Sequence, residues 1–288
     1  TNRRPSYPRA MARSEQRKSA QIWSRREVIA SPLILGPVLL PTSSRGETSP
    51  ELVKVSDPAT YSALTYAPRG VQGKLPLIVV LHGAGKNEKD VWNLADPQDE
   101  HAGLAPSLLA SGRAPSELAD NFALIAPYSQ GKKSFYEEPR KKLLQFVEWV
   151  CSDEGRKAGC PDVDPNRIFL FGFSDGATVG VELLTTKRFK GAIIAAYGYT
   201  GTLPPKAQER LKGIPVWVFH SADDVIFDVQ NSDNLVRALR KVNGPDSSLV
   251  KYTRFERDQE GFTGAVQGHS TGITATRTPQ VYSWLLSL

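Results

Sequence analysis

Continuous runs of apolar residues are the feature that most constrains what this chain can fold into. Leu75–Leu81 is seven residues long, carries no charge and is rich in β-branched side chains. A strand of this composition is buried on both faces, as in parallel sheets that carry helices on either side. The same reading predicts further strands at Phe122–Ala126, Ile168–Phe171, Ala192–Ala196, Ile214–Phe219 and Val250–Phe255.

Segments with apolar residues at helical spacing separate these runs. Helices are predicted at Lys141–Val150, Ala177–Thr185, Asn231–Val242 and Gln280–Leu286, with a shorter one near Gly103–Ser111. Before the first long strand, Val53–Val55 and Ala63–Tyr66 predict a short antiparallel start. Alternating strands and helices predict the α/β class, with a doubly wound, mostly parallel sheet.

The net charge of +6 is confined to one end of the chain. Residues 1–50 hold nine Lys and Arg against three Glu, so the rest of the chain is neutral overall. A nucleic-acid-binding protein needs a basic face on its folded domain. The composition therefore favours no nucleic-acid partner.

The basic end of the chain has the pattern of a targeting leader. Residues 1–26 are rich in Arg and Ser and contain one acid, Glu15, which is typical of a transit peptide. The pair Arg25-Arg26 then precedes an apolar run, Val28–Leu40, as in a twin-arginine signal. Two prolines interrupt this run, which is shorter than the ~20 residues that span a bilayer.

These features predict two regions with different roles. Residues 1–50 are expected to be a largely disordered leader, and residues 51–288 a catalytic domain with no stable membrane insertion. Tandem signals of this kind resemble the leader of a plastid thylakoid-lumen protein, with the bacterial periplasm or secretion as alternatives. In an oxidising compartment Cys151 and Cys160 could form a disulfide, and two free thiols are the other possibility.

One motif joins a predicted strand to a predicted helix. Ile168–Phe171 runs into Gly172-Phe173-Ser174-Asp175-Gly176, a G-x-S-x-G sequence. In a tight strand-to-helix turn the residues two before and two after the serine must be small, and the serine projects from the carboxyl end of a strand. Ser174 is therefore the predicted nucleophile.

A second G-x-S-x-G sequence, at residues 268–272, competes with the first. It contains Ser270, but no strand is predicted before it and no Asp, Glu or His follows it. In folds that carry this motif on a strand and a helix, the acid and then the histidine come later in the chain. Ser174 meets this order, and His269 is the predicted general base because it follows every candidate acid.

The acid is predicted in the turn after the strand Ile214–Phe219. His220-Ser221-Ala222-Asp223-Asp224 offers two carboxylates, Asp223 and Asp224, either of which could be the acid. The acid orients the imidazole and stabilises its cation. His220 precedes both acids and is expected to be a buried residue that shapes this turn.

A fourth motif, His82-Gly83-Ala84-Gly85, follows the first long strand. A loop in this place supplies one oxyanion-hole N–H, and the residue after the nucleophile supplies the other. The predicted donors are the backbone N–H groups of Ala84 and Asp175. His82 itself is expected to have a structural role.

Together these motifs resemble the α/β-hydrolase superfamily, and in particular its esterase branch, the phospholipase/carboxylesterase/thioesterase and feruloyl-esterase-like group. Many members carry H-G-x-x-D after the strand Ile214–Phe219, so the resemblance favours Asp224 as the acid, with Asp223 as the alternative. Ser221 stands where that glycine is usual, and Ala177 where many members have a second glycine. The resemblance implies an α/β-hydrolase fold and a serine hydrolase that cleaves esters or thioesters through an acyl-enzyme.

The resemblance also implies no cofactor and no metal, with a small ester or thioester as the partner. The sequence carries no signal for an oligomeric state. A small serine peptidase of the same fold and a non-catalytic hydrolase-like binding protein are the alternative readings.

Overall fold

The computed structural model describes residues 51–84, 90–96, 104–129 and 134–288. The described residues form one eight-stranded sheet. Its strands are β1 (Val53–Ser56), β2 (Ser62–Tyr66), β3 (Leu75–Leu81), β4 (Ala123–Pro127), β5 (Val163–Phe173), β6 (Gly191–Ala195), β7 (Val216–Ser221) and β8 (Val250–Phe255).

The sheet is mixed and mostly parallel. Its strand order is β1-β2-β4-β3-β5-β6-β7-β8. β1 pairs with β2 and β2 with β4 in antiparallel fashion, whereas β4, β3, β5, β6, β7 and β8 are mutually parallel. Because β3, β5 and β7 run the same way, the loops that follow them leave the sheet at one edge. The predicted fold class and the antiparallel start are confirmed.

Nine helices are found among the described residues. They are α1 (Ala105–Ala110), α2 (Ser116–Ala119), α3 (Arg140–Val150), α4 (Asp153–Lys157), α5 (Asp175–Leu184), α6 (Pro205–Arg210), α7 (Gln230–Asn243), α8 (Thr271–Arg277) and α9 (Pro279–Leu286). Short 3-10 turns lie at Val91–Ala95 and Gly264–Val266.

Two hydrophobic cores, one on each face, hold the sheet. In β3, Leu77 and Val79 pack into one core, and Ile78 and Val80 into the other, because successive side chains of a strand point to opposite faces. Helices α3, α5 and α7 cover the first face. Helices α1, α8 and α9 contribute to the second. This double cover explains why all seven residues of β3 are buried.

The structure adds elements that the sequence pattern does not predict. α2, α4, α6 and α8 have four to seven residues, which is too short for a helical repeat of apolar residues to show. β5 begins at Val163, five residues before the predicted start. The sequence pattern missed this first part because it includes the polar stretch Asp164–Arg167, which is not an apolar run. α8 begins at Thr271, two residues after His269, in a stretch for which no helix was predicted.

The predicted leader, residues 1–50, with its transit-peptide and twin-arginine patterns, lies outside the described residues. Within the ranges that the structure describes, no helix has both the length and the apolar character to cross a membrane.

Candidate active site

Ser174 occupies a sharp turn between β5 and α5. Its backbone has φ 55° and ψ −115°, a conformation that residues with a side chain rarely adopt. Its N–H donates a hydrogen bond to Ala195 O at 3.0 Å, and its carbonyl oxygen accepts one from the Thr178 N–H at 3.1 Å. The strained turn directs the serine side chain away from the strand, at the first turn of a helix.

Close backbone contacts make this turn possible. A Cβ on Gly176 would lie 2.2 Å from Leu81 O, and one on Gly172 would lie 2.5 Å from Gly176 O. Both distances are too short for any side chain. The requirement for small residues on both sides of Ser174, expected from the motif, therefore has a direct steric cause, and Leu81 belongs to the neighbouring strand β3.

The loop before α8 places His269 opposite Ser174. Gly268 has φ +73°, and a Cβ there would lie 2.3 Å from the backbone of Asp223. The His269 ring lies between the rings of Phe173 and Phe227, with centroid distances of 5.2 and 5.4 Å. Close packing against the acid-bearing turn and two aromatic rings therefore fixes this imidazole.

Three side chains form a hydrogen-bonded row. His269 Nε2 lies 2.9 Å from Ser174 Oγ, and His269 Nδ1 lies 2.8 Å from Asp224 Oδ2. Because the Asp224 carboxylate accepts, Nδ1 carries the proton, and Nε2 is left with a lone pair that faces the serine hydroxyl. Residues from the turns after β5 and β7 and from the loop before α8 thus meet at the carboxyl ends of the parallel strands.

The Asp224 carboxylate is fully buried and surrounded by donors. Oδ1 accepts the N–H groups of Ile226 and Phe227 at 2.8 and 2.9 Å, while Oδ2 faces His269 and His220. Burial raises the pKa of Asp224, but the charge of His269 and hydrogen bonds from both histidines outweigh this effect and hold the pKa well below its usual value. Asp224 is therefore ionised in the folded protein.

Asp223, the alternative acid, bonds other groups than His269. Its Oδ1 accepts the Ser221 hydroxyl at 2.5 Å and the Asp258 N–H at 3.0 Å. Asp258 in turn accepts the N–H groups of Glu260 and Ser270. Asp223 and Asp258 thus tie the acid-bearing turn to the loop that carries His269.

Ser270, the serine of the competing motif, is buried just before α8. Its Oγ has no hydrogen-bond partner among the described residues. His269 Nε2 faces Ser174. Ser270 is thus the next residue after His269 in the sequence, but it is not part of the hydrogen-bonded row.

His82 supports the loop after β3 from inside the protein. Its Nδ1 lies 2.7 Å from Gly83 O, so this nitrogen carries the proton, and its Nε2 accepts the Ser129 N–H at 3.2 Å. The ring packs on Phe135. Ala84 follows this loop and is half-buried, and Asp175 opens α5 beside Ser174, whereas Gly85 lies outside the described residues.

The two cysteines lie away from this row, near the end of α3, and are free thiols. Burial raises the pKa of the Cys160 thiol to about 12. Burial also raises the pKa of Cys151, although Arg188 opposes the effect. No group of His, Cys, Asp and Glu that could hold a metal ion occurs within the described ranges.

Two residues of the site were not singled out from the sequence. Ser232 lies in α7, 2.7 Å from His220 Nδ1, and nothing in the helical pattern distinguishes it. Asp258 lies in a loop, where its bond to the N–H of Glu260, two residues on, is a turn signal that Asp favours. That signal predicts a turn at Asp258, but it does not predict that the second carboxylate oxygen of Asp258 accepts the N–H of Ser270.

The fold and this row of side chains define the class of the protein. An eight-stranded, mostly parallel sheet, with a serine at a strained strand–helix turn that bonds a histidine and through it an aspartate, is the arrangement of the α/β-hydrolase fold. A family profile described as Phospholipase/Carboxylesterase matches residues 136–264, a range that contains Ser174 and Asp224 but ends before His269. The resemblance to the phospholipase/carboxylesterase family of α/β-hydrolases is thereby confirmed.

Relatives and solved structures agree with this assignment. The chain is 26% identical over 125 residues to "Acyl-protein thioesterase 1 homolog 2" of Dictyostelium discoideum, a match that covers 42% of this chain and 54% of that protein. The chain thus spans about half the length of this curated relative.

Among solved structures, a thermostable esterase is 25% identical, with a TM-score of 0.56 over 83% of this chain and 63% of its own. The Pyrococcus furiosus esterase Pf2001 is 15% identical, with a TM-score of 0.53 over 88% of this chain and 98% of its own, and shows the fold alone.

Proposed function

We propose that this protein is a serine hydrolase that cleaves carboxylic esters or thioesters through an acyl-enzyme at Ser174. The observation that carries the proposal is the row Ser174–His269–Asp224, with distances of 2.9 and 2.8 Å. These are the distances that a general base needs in order to take a hydroxyl proton.

The steps follow from the proton positions. Ser174 Oγ attacks the acyl carbon while its proton passes to His269 Nε2, and the imidazolium that forms is stabilised by the ionised Asp224. His269 then gives the proton to the leaving alcohol or thiol. A water molecule then attacks the acyl carbon while it gives a proton to His269 Nε2. The bond between the acyl carbon and Ser174 Oγ breaks, and His269 returns the proton to Ser174 Oγ, which releases the acid and restores the serine.

The tetrahedral intermediates need donors for their oxyanion. We assign this role to the backbone N–H groups of Ala84 and Asp175, which adjoin the carboxyl ends of the neighbouring strands β3 and β5. The hydrogen bond from His82 to Gly83 O supports this choice. In a trans peptide the C=O and the next N–H point in opposite directions, so His82 constrains the direction of the Ala84 N–H.

A labelling experiment tests the mechanism. A fluorophosphonate should modify the wild-type protein at Ser174 and should not modify Ser174→Ala. Ser270→Ala is the matched control, since it removes the serine of the second G-x-S-x-G motif and should keep labelling and most of the rate. Loss of labelling in Ser270→Ala alone would overturn the assignment of the nucleophile.

The same proteins give the expected size of the effect. Ser174→Ala and His269→Ala should each lower kcat by on the order of 10⁶-fold, and the double variant should lose little more, because triad members act as a unit. Steady-state hydrolysis of p-nitrophenyl acetate measures this. Additive losses would mean that the two residues do not serve the same step.

Substrate class is tested by matched substrates. The relatives named above support esters and thioesters, so p-nitrophenyl esters of increasing acyl length and an S-acyl thioester should be hydrolysed in preference to a peptide amide. Faster cleavage of the amide would favour the serine peptidase. Absence of both labelling and turnover in wild type would favour the non-catalytic binding protein.

We also propose that residues 1–50 are a leader that directs export, most simply to a plastid thylakoid lumen, with the bacterial periplasm or secretion as alternatives. The basic, Ser-rich region followed by Arg25-Arg26 and an apolar run supports this. Fusion of residues 1–50 to a fluorescent protein tests it. Import into isolated chloroplasts with removal of the leader is expected, and retention outside the organelle would contradict the plastid route.

A further inference from the structure

A second histidine faces the same carboxylate oxygen of Asp224 as His269 does. His220, the fifth residue of β7, is fully buried, and its Nε2 lies 3.2 Å from Asp224 Oδ2 and 3.1 Å from Phe227 O. Its Nδ1 lies 2.7 Å from Ser232 Oγ. The row of side chains therefore extends beyond the triad, from Ser232 in α7 to Ser174.

The proton on His220 can be assigned from its neighbours. A backbone carbonyl and an ionised carboxylate both accept hydrogen bonds and cannot donate. Because Nε2 faces one of each, Nε2 must carry a proton that is shared between Asp224 Oδ2 and Phe227 O. The bond to Ser232 then fixes the rotation of the ring.

The two oxygens of Asp224 are held in different ways. Backbone N–H groups hold Oδ1, whereas Oδ2 is held by the two histidines. Without His220, His269 would be the one partner of Oδ2 among the residues that the structure describes, and His269 is the residue that the acid must orient. The carboxylate could then turn about its Oδ1 contacts, and the direction of the His269 ring would be less well defined.

We propose that His220 is a positioning residue of this site: its Nε2–H fixes the plane of the Asp224 carboxylate and, through it, the orientation of His269. The inference rests on the proposed hydrolase function for its catalytic meaning. It adds to that function a residue that touches neither the substrate nor the nucleophile.

Two amide substitutions separate this role from simple packing. In His220→Gln the amide nitrogen reaches the place of the ring Nε2 and can donate to Asp224 and Phe227 O. In His220→Asn it reaches only the place of Nδ1, beside Ser232. Asn should lower kcat and the fluorophosphonate labelling rate by roughly 10- to 100-fold, the range for partners behind metal-bound histidines, with KM nearly unchanged. His220→Gln should keep most of the wild-type kcat and labelling rate.

A control and a second measurement keep the outcome clear. Thr65→Val removes a buried hydroxyl far from the site, bonded to Leu124 O, and should leave kcat unchanged even if it lowers Tm as much as His220→Asn. Equal rates for Asn and wild type, or equal losses for Asn and Gln in folded proteins, would overturn the proposal.

NMR of the imidazoles gives an answer that needs neither turnover nor a variant that folds. In wild type the His220 proton should be on Nε2, and the downfield Nδ1–H signal of His269 should be sharp. A proton on Nδ1 alone would overturn the inference.

The same NMR signal can be followed in the variants. In His220→Asn the Nδ1–H signal of His269 should broaden or shift, and in His220→Gln it should return to its wild-type position. If wild type is neither labelled nor active, the proposed hydrolase function fails, while this NMR result still decides whether His220 holds the acid.

Discussion

At the scale of single residues, the site depends on two adjacent carboxylates that have different neighbours. Asp224 is enclosed by two histidines and two backbone N–H groups. Asp223 accepts from Ser221 and from the backbone of Asp258. The first carboxylate contacts the imidazole that faces Ser174, and the second joins two loops.

Substitution of each aspartate should give very different rates. Asp224→Asn should lower kcat on the order of 10³- to 10⁴-fold, because the amide cannot stabilise the imidazolium and favours the wrong tautomer. Asp223→Asn is the matched control and should cost about tenfold or less, since it loosens a loop without touching His269. Hydrolysis of p-nitrophenyl acetate measures both, and the reverse order would make Asp223 the acid.

At the scale of elements, the turn between β5 and α5 joins three parts of the fold. Ser174 is strained, Gly172 touches α5, and Gly176 touches the end of β3. β3 and β5 are neighbours, and Leu81 pairs with Gly172. The position of Ser174 is therefore coupled to the loop that begins at His82.

A methyl group at Gly176 should disrupt this arrangement. Gly176→Ala would place a Cβ 2.2 Å from Leu81 O, a backbone atom that cannot move without shifting β3. A displacement of about 1 Å at a reacting group can cost roughly 10²-fold, so kcat should fall by at least that factor.

Gly180→Ala is the control on the same helix. There the Cβ would meet the tip of the Leu170 side chain at 2.7 Å, and that tip can move. This variant should stay within a few-fold of wild type in kcat. Circular dichroism would check that both variants fold, and equal kcat losses would contradict the steric account.

At the scale of the whole molecule, the candidate site depends on the complete sheet. The turns that follow β5 and β7 and the loop before α8 each supply one member of the row, and both cores hold these strands in register. Burial of an ionised acid in such a framework links the protonation of the site to the stability of the fold.

The folded-state pKa of Asp224 is lowered, which sets the sign of this link. Its contribution to stability is complete above the unfolded pKa, about 3.9, and is lost as the pH falls through the folded value. The difference in free energy of unfolding between wild type and Asp224→Asn should therefore shrink as the pH falls below about 4. Urea unfolding at each pH measures it, and a difference that does not vary with pH would contradict the assignment.

Removal of the predicted leader tests the proposed boundary. A chain that begins at Glu51 should fold and keep the kcat and KM of the full chain, because among the described residues the first strand begins at Val53 and all members of the row lie later. A soluble protein with the same Tm is the expected result. An insoluble or inactive protein would place part of residues 1–50 in the fold.

The sequence by itself determined the features that depend on local chemistry and chain order. Runs such as Leu75–Leu81 are buried on both faces only in a sheet with helices on either side. The glycines around Ser174 indicate a turn that is too tight for side chains. The order of Ser174, the acid pair and His269 depends only on position along the chain.

Tertiary structure decided the features that depend on direction in space. Asp223 and Asp224 are consecutive in one turn, and only the approach of His269, 45 residues later, distinguishes them. The pairing of His220 with Ser232 and the bond from Asp258 to the Ser270 N–H likewise join segments that share no repeat or motif. Hydrogen bonds require direction as well as proximity, and direction is fixed only when the strands and helices are packed together.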